Sequence, residues 1–312
     1  MAISADFVLE EIKGIKESFD NGSKLSIDKY KALPIFNIES TDEWSEIFNS
    51  TESMDGAREL TEQETPDITT LEEGYNVTLV TKRFGSAIEV SETAMQEMDD
   101  TSTKVSTFLM RERDKVLRKN RYLFVKNMHK FLNESHDSGS DFLAPDGVEI
   151  CGSHSWNTAG STAWDNSATA TLSSSAVDAA MLFGGAFVDG SGEEMPQTYD
   201  TIVVKLGSAP ARMAKKLFAE GITPTHIDDV NIYEGEFTII ELPLISVANT
   251  NYWWMFDTKQ EKSPLYMGIK KYPTMNEPIK QNNEAVRSNV TGFWKQGVTN
   301  MPYMIYGSTG TA

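Results

Sequence analysis

Glu73-Gly-Tyr-Asn-Val-Thr-Leu-Val-Thr-Lys-Arg-Phe-Gly85 runs on through Ile88-Glu-Val-Ser91 and, past Asp99-Asp-Thr-Ser102, into a long basic and apolar stretch. Tyr75, Val77 and Leu79 alternate with polar residues, the period of a strand with one covered face. Phe84 to Val90 reads as a second short strand. The period then lengthens to that of a helix. Val105, Phe108, Leu109, Val116, Leu117, Leu123, Phe124, Phe131 and Leu132 keep to one side, and basic residues fill much of the rest. Asp99, Asp100, Thr101 and Ser102 supply acids and caps at the end where the helix dipole favours them. A helix of about 30 residues is about 45 Å long. That exceeds the usual globular length and suits a strut.

Upstream, residues Ala5 to Phe19 have the spacing of a short amphipathic helix, with Ser4 as cap and Asp20-Asn21-Gly22 as stop. An irregular acidic arm follows around Pro34. Its apolar residues, Phe36, Ile38, Trp44, Ile47 and Phe48, are isolated, so such an arm buries little at home and suits a partner's surface. Residues Gly56 to Arg83 read as a hairpin, with Thr61 to Pro66 as outgoing limb, Asp67 to Gly74 as tip and Tyr75 to Thr81 as return. A two-stranded hairpin with one polar, proline-interrupted limb is marginal by itself and needs another surface.

Downstream, His136-Asp-Ser-Gly-Ser-Asp141 and Asn157-Thr-Ala-Gly-Ser-Thr-Ala163 mark a boundary region of loops. Ser174 to Val188 is predicted helical, with Gly190-Ser-Gly192 ending it. Tyr199 to Lys205 has the apolar run of a buried strand. Ser208-Ala-Pro210 starts a helix that reaches Gly221. Strands are expected at Val230–Tyr233, Phe237–Leu242, Tyr252–Phe256, Leu265–Ile269, Val290–Thr299 and Tyr303–Tyr306. The class is α+β.

The 312 residues are 39% hydrophobic and carry a net charge of -18, enough for a sizeable core and wrong for a protein that grips DNA by its phosphates. A container for DNA has no need of such a grip. No stretch approaches the ~20 apolar residues of a membrane helix, and the start lacks the basic region of a secretory signal. Cys151, the single cysteine, cannot form an internal disulfide. The charge is uneven. Glu39 to Asp100 holds seventeen acids and three bases, whereas Thr101 to Lys130 holds nine bases and two acids. Two readings stand: oppositely biased solvated faces, or one segment docking onto the other in a neighbouring copy.

Motifs for chemistry are missing. There is no Walker A loop, G-x-G-x-x-G, nucleophile elbow or H-E-x-x-H. Cys151, His154 and Trp156 are neighbours, but one cysteine and one histidine fall short of a four-ligand zinc site. The acids from Glu39 to Asp67 lack calcium-loop spacing. No cofactor, metal or catalytic residue is therefore assigned. Tyr252, Trp253, Trp254 and Phe256 suggest a carbohydrate platform at first sight. Consecutive strand positions face opposite ways, so core packing on one side and a subunit contact on the other is expected.

Arm, hairpin, strand, long basic helix, α/β domain and returning strands, in that order, resemble the HK97-fold major capsid proteins. Glu73 to Ser91 is similar to that family's E-loop return, in its Mu-like major head subunit branch. His154 onward through Leu172-Ser173 and Val177-Asp-Ala-Ala180 looks like the approach to its A-domain. Tyr199 to Val204, Tyr252 to Thr258 with Pro264-Leu265, Phe293-Trp294 and Tyr303 to Ser308 look like its later strands. The resemblance implies an N-terminal arm over 1–55, an E-loop hairpin over 56–86 and a P-domain with spine helix over 87–140. An A-domain over 141–250, P-domain return strands over 251–296 and a C-terminal A-domain strand over 297–312 would follow. It also implies a non-enzymatic shell subunit that assembles with itself into hexamers and pentamers around DNA, in the host cytoplasm and then the virion. Its partners would be a scaffolding protein, a portal and a decoration protein. Members with a long N-terminal scaffolding segment differ here, so either a separate scaffold or an already shortened chain is expected. No cross-link residues can be placed. Contacts between copies are expected from Glu62, Glu64, Asp67, Glu72 and Glu73 on the acidic side, and from Arg111, Arg113, Arg118 and Lys119 on the basic side. The rivals are an encapsulin-like compartment and a carbohydrate-binding surface protein.

Overall fold

The computed structural model describes residues 16, 20, 28–51, 73–91, 102–156, 163–190, 192–218, 233, 235–260, 262–281 and 285–311. The predicted helix at 5–19 and the strand at 230–233 fall outside these residues, apart from Lys16, which is helical, and Tyr233, which sits in a turn. The chain divides into two compact units.

The first unit comprises Met1–Glu46, Leu79–Asn127 and Met267–Gln296. Its sheet has the order β1 (Asn37–Ser40), β11 (Leu265–Met275), β13 (Val286–Val298) and β12 (Ile279–Lys280), and β4 (Lys82–Val90) also pairs with β13. β4 and β13 run antiparallel, from Val90 opposite Val286 to Lys82 opposite Trp294. Alternation divides the ladder into two faces. Ile88, Val90, Val286, Val290 and Trp294 are buried, whereas Arg83, Gly85, Ala87, Glu89 and Arg287 are exposed. The buried face takes helix α1 (Ser102–Asn133): Phe84 stacks on Trp294 at 4.0 Å, Phe124 meets the same indole edge-on, and Asn120 donates to Ser86 Oγ at 2.8 Å. Each large side chain covered in this way contributes roughly 1.5–3 kcal/mol.

The second unit comprises Ile47–Thr78, Met128–Tyr266 and Gly297–Ala312. Its five-stranded sheet has the order β7 (Ser167–Ala168), β14 (Ile305–Ser308), β10 (Trp253–Phe256), β8 (Thr201–Lys205) and β9 (Thr238–Leu242). β8 and β9 are parallel, and β10 is antiparallel to both of its neighbours. Helices α2 (Ser174–Gly185) and α3 (Ala209–Phe218) give Val177, Ala180, Ala211, Ala214 and Phe218 to a core with Ile202, Val204, Trp253, Met255 and Tyr306. Ser173 caps α2 by accepting from the Ala176 amide. A short ladder, β5 (Ser153–Ser155) with β6 (Ala163–Asp165), lies beside the loop carrying Cys151.

The structure departs from the sequence reading chiefly at three places. The first is the partner of β3 (Glu73–Val80), which is β2 (Ser45–Thr51), a stretch read above as irregular arm. Ser45–Thr51 lacks a clean alternation, so pairing and not local pattern makes it a strand. The expected outgoing limb, 61–66, lies outside the described residues. The second is β10, expected among returning strands at 251–296. It forms the middle of the α/β sheet, between β8 and β14. The third is the expected subunit contact on one face of β10. Trp253, Trp254, Met255 and Phe256 are all buried within the chain. Trp253 Nε1 donates to Ala170 O at 3.0 Å, and Trp254 Nε1, on the opposite side, to Ser135 Oγ at 3.0 Å. Gly307 allows this closeness, because a Cβ there would meet Cys151 Sγ and Trp254 Cδ1. Helix α2 also ends earlier than expected, at Gly185.

Candidate assembly surface

Helix α1 presents the basic residues. Arg111, Lys115, Arg118, Tyr122 and Lys126 follow at three- and four-residue spacing and are exposed, with Lys119 beside them. Lys115 pairs with Glu112 at 2.5 Å; both groups are solvated, so this pair adds little. The side chains of Arg113 and Glu73 are not among those described, and Glu62, Glu64, Asp67 and Glu72 lie outside the described residues. The predicted acid and base sets are therefore placed on one side only: a solvated cationic stripe with an exposed tyrosine.

The stripe is interrupted where α1 becomes largely buried. Met128, His129, Phe131 and Leu132 are each inaccessible to solvent. His129 Nδ1 accepts from the Leu244 amide at 3.2 Å, and burial lowers its pKa to about 4. His136 is lowered to about 4 by the same cause, against the opposing fields of Glu149 and Asp165.

Sequence reasoning missed a cluster at the root of the 45–81 excursion. Lys295 of β13 is fully buried, with Nζ 3.0 Å from Glu46 Oε1 and 3.3 Å from Glu43 O. Thr41 donates to the same Glu46 oxygen. Lys270 donates to Asp42 O and lies 5.0 Å from the Trp44 ring centre; Phe293 meets that ring edge-on. The Thr81 amide donates to Trp44 O at 2.8 Å, and the Thr81 hydroxyl donates to Glu43 O. Both ends of the excursion are thereby held by one group of contacts. Lys295 stands in an apolar run that reads as core strand, and nothing local marks its partner 249 residues away.

No group of metal-ligating side chains occurs among the described residues. Cys151 is buried, and burial pushes its thiol up to about 12, far from a reactive thiolate. His154 Nδ1 lies 2.9 Å from Asp146 Oδ2, and its Nε2 faces Ile150 O at 3.2 Å, which makes it a structural brace.

Two units of this kind, one with a long helix backing its sheet and the other a mixed sheet carrying two helices, define the HK97-type capsid fold. Among solved structures, one from Mycobacterium phage Bobi matches with a TM-score of 0.52 and 13% identity over 88% of each chain. One from Microbacterium phage Oxtober96 matches with a TM-score of 0.50 and 9% identity, again over 88% of each chain. No family model matches the sequence, and no curated protein does. The likeness is one of fold.

Proposed function

We propose that the chain is the major capsid protein of a tailed phage, a non-catalytic subunit that assembles with itself into an icosahedral shell around double-stranded DNA. The observation that carries this reading is the shared fold over 88% of the chain with structures from two phages. The sequence agrees with it. A subunit that repeats in closed rings must contact several neighbours, and the acidic arm and excursion have more to gain from a neighbour than from their own cores. The -18 charge fits a wall that encloses nucleic acid without gripping it. In this reading residues 56–83 lie over the helix-backed sheet unit of an adjacent copy. A scaffolding protein, a portal and a decoration protein complete the head, with assembly in the host cytoplasm.

Negative-stain microscopy of the expressed chain tests the proposal. Closed particles of uniform diameter containing nucleic acid are expected when the chain is made with its scaffold and packaging partners. Particles filled with protein cargo would favour the encapsulin-like alternative. A compact monomer under every condition of concentration, salt and scaffold would sink both.

A further inference from the structure

A groove of about 290 Å³ opens on the exposed face of the β4–β13 ladder, between Arg83 and Arg287. Two cross-strand pairs, Gly85 with Thr291 and Ala87 with Asn289, form its floor. Arg83 stands opposite Phe293 and Arg287 opposite Glu89, so the two arginines mark its two ends, six residues apart along the strands. At strand spacing their backbones are about 20 Å from each other, and both long side chains lean inward to reach one space. Glycine and alanine leave room between them.

The lining is unusual for this chain. Acids outnumber bases by 46 to 28 in the sequence, yet no acid is among the described residues that line the groove. Nor does either arginine form an ion pair among the described residues, although Glu89 stands directly across from Arg287. Arg287 Nε donates instead to Asn289 Oδ1 at 2.9 Å. This contact holds the guanidinium along the strand, and it orients the amide, because the oxygen is the accepting end. Asn289 keeps its amide N–H groups, and Arg287 keeps the N–H groups of both terminal nitrogens. The groove thus combines two positive charges with a surplus of donors, the complement of an anion with many oxygens.

We propose that the groove binds a compact oligophosphate, either a free polyphosphate or the phosphate chain of a nucleotide. Size and charge select it. A water takes up ~30 Å³, so the space suits a ligand of about ten non-hydrogen atoms. That is the size of a di- or triphosphate and larger than orthophosphate. Guanidinium forks at both ends ask for charged oxygens at two points, which an oligophosphate supplies along its length and a single carboxylate does not. Duplex nucleic acid is a poor occupant. Its phosphates continue beyond the groove, past Glu89 at the rim and into the field of a chain with a net charge of -18, whereas such a grip needs a basic face. The inference goes beyond the shell reading and stands without it, since it concerns one face of the folded subunit.

Isothermal titration calorimetry of the purified full-length chain tests it, with tripolyphosphate, ATP, orthophosphate and a DNA duplex as titrants at fixed salt. Saturable binding of tripolyphosphate, one per chain, is expected, with orthophosphate at least about tenfold weaker and no measurable heat from the duplex. ATP binding as tightly as tripolyphosphate would show that the phosphate chain alone is read; tighter binding would show that the nucleoside adds contacts. Arg83→Gln with Arg287→Gln should weaken binding at least about tenfold, because each arginine lost removes charge-assisted hydrogen bonds. Arg212→Gln with Lys216→Gln, at exposed positions of α3, removes the same charge elsewhere and should leave binding unchanged. Asn289→Asp keeps an acceptor for Arg287 Nε but sets a carboxylate in the floor, and should abolish binding. Circular dichroism checks that each variant is folded. Equal weakening by the two double variants would reduce the effect to general charge and overturn the site. So would tripolyphosphate binding that survives Arg83→Gln with Arg287→Gln, or a duplex that binds more tightly than tripolyphosphate. Calorimetry reads the ligand and microscopy reads the shell, so failure of one reading leaves the other standing.

Discussion

Lys295 shows how much one buried charge can govern. Its side chain has no exposure, whereas that of Glu46 is 21% exposed. Breaking a buried pair costs about 3–5 kcal/mol, because the remaining charge loses its counter-ion without regaining water. The two partners are therefore unequal. Lys295→Met leaves Glu46 free to hydrate, but Glu46→Gln strands an ammonium in the core. The expected order of unfolding midpoints is wild type, then Lys295→Met, then Glu46→Gln, read by urea titration. The reverse order for the two variants would refute this account. His129 gives the pH dependence its sign. Its folded pKa of about 4 lies below the ordinary 6.5, so the unfolded chain binds the extra proton more readily. Stability is complete above about pH 6.5 and falls as the pH drops towards 4, by roughly 3 kcal/mol from this group. Protonation also places a hydrogen between Nδ1 and the Leu244 amide. His129→Asn should flatten that slope, measured as unfolding free energy between pH 7 and 4.5.

At the level of elements, α1 has two different environments along its 32 residues. Up to Lys126 it covers the sheet with one side, through Val116, Asn120 and Phe124, and exposes a cationic stripe on the other. Beyond that Met128, His129, Phe131 and Leu132 are buried, and Lys130 is part-exposed. Charge reversal of Arg111, Arg118 and Lys119 should leave the circular dichroism spectrum unchanged and the unfolding free energy within about 0.5 kcal/mol of wild type per site, as for solvated positions. Assembly should be impaired, by sedimentation. Wild-type shell yield would show that the stripe faces solvent or packaged nucleic acid. The periodicity that revealed α1 was legible because 3.6-residue spacing is local. The partner of β3 was not, because Ser45–Thr51 takes strand form from its ladder with β3 and not from its own alternation.

For the whole molecule, the segregation of charge separates folding from assembly. Segment 52–72 carries seven acids and one base, and its few apolar residues do not follow a strand or helix period. Replacing Glu62, Glu64 and Glu72 by Gln, and Asp67 by Asn, should leave thermal unfolding unchanged and reduce closed particles. Light scattering together with calorimetry distinguishes this from general destabilisation, which would lower both. The sequence alone determined the α+β class, the order of arm, excursion, strut and α/β portion, the absence of catalytic motifs and the uneven charge. Each of these is a property of neighbouring residues: a period, a composition or a spacing. Tertiary structure decided what depends on residues far apart in the chain. It set Glu46 beside Lys295, buried both faces of Trp253–Phe256, and turned Arg287 past Glu89 into a groove with Arg83. Side-chain partners are chosen by the path of the backbone through space, and no local pattern records that path.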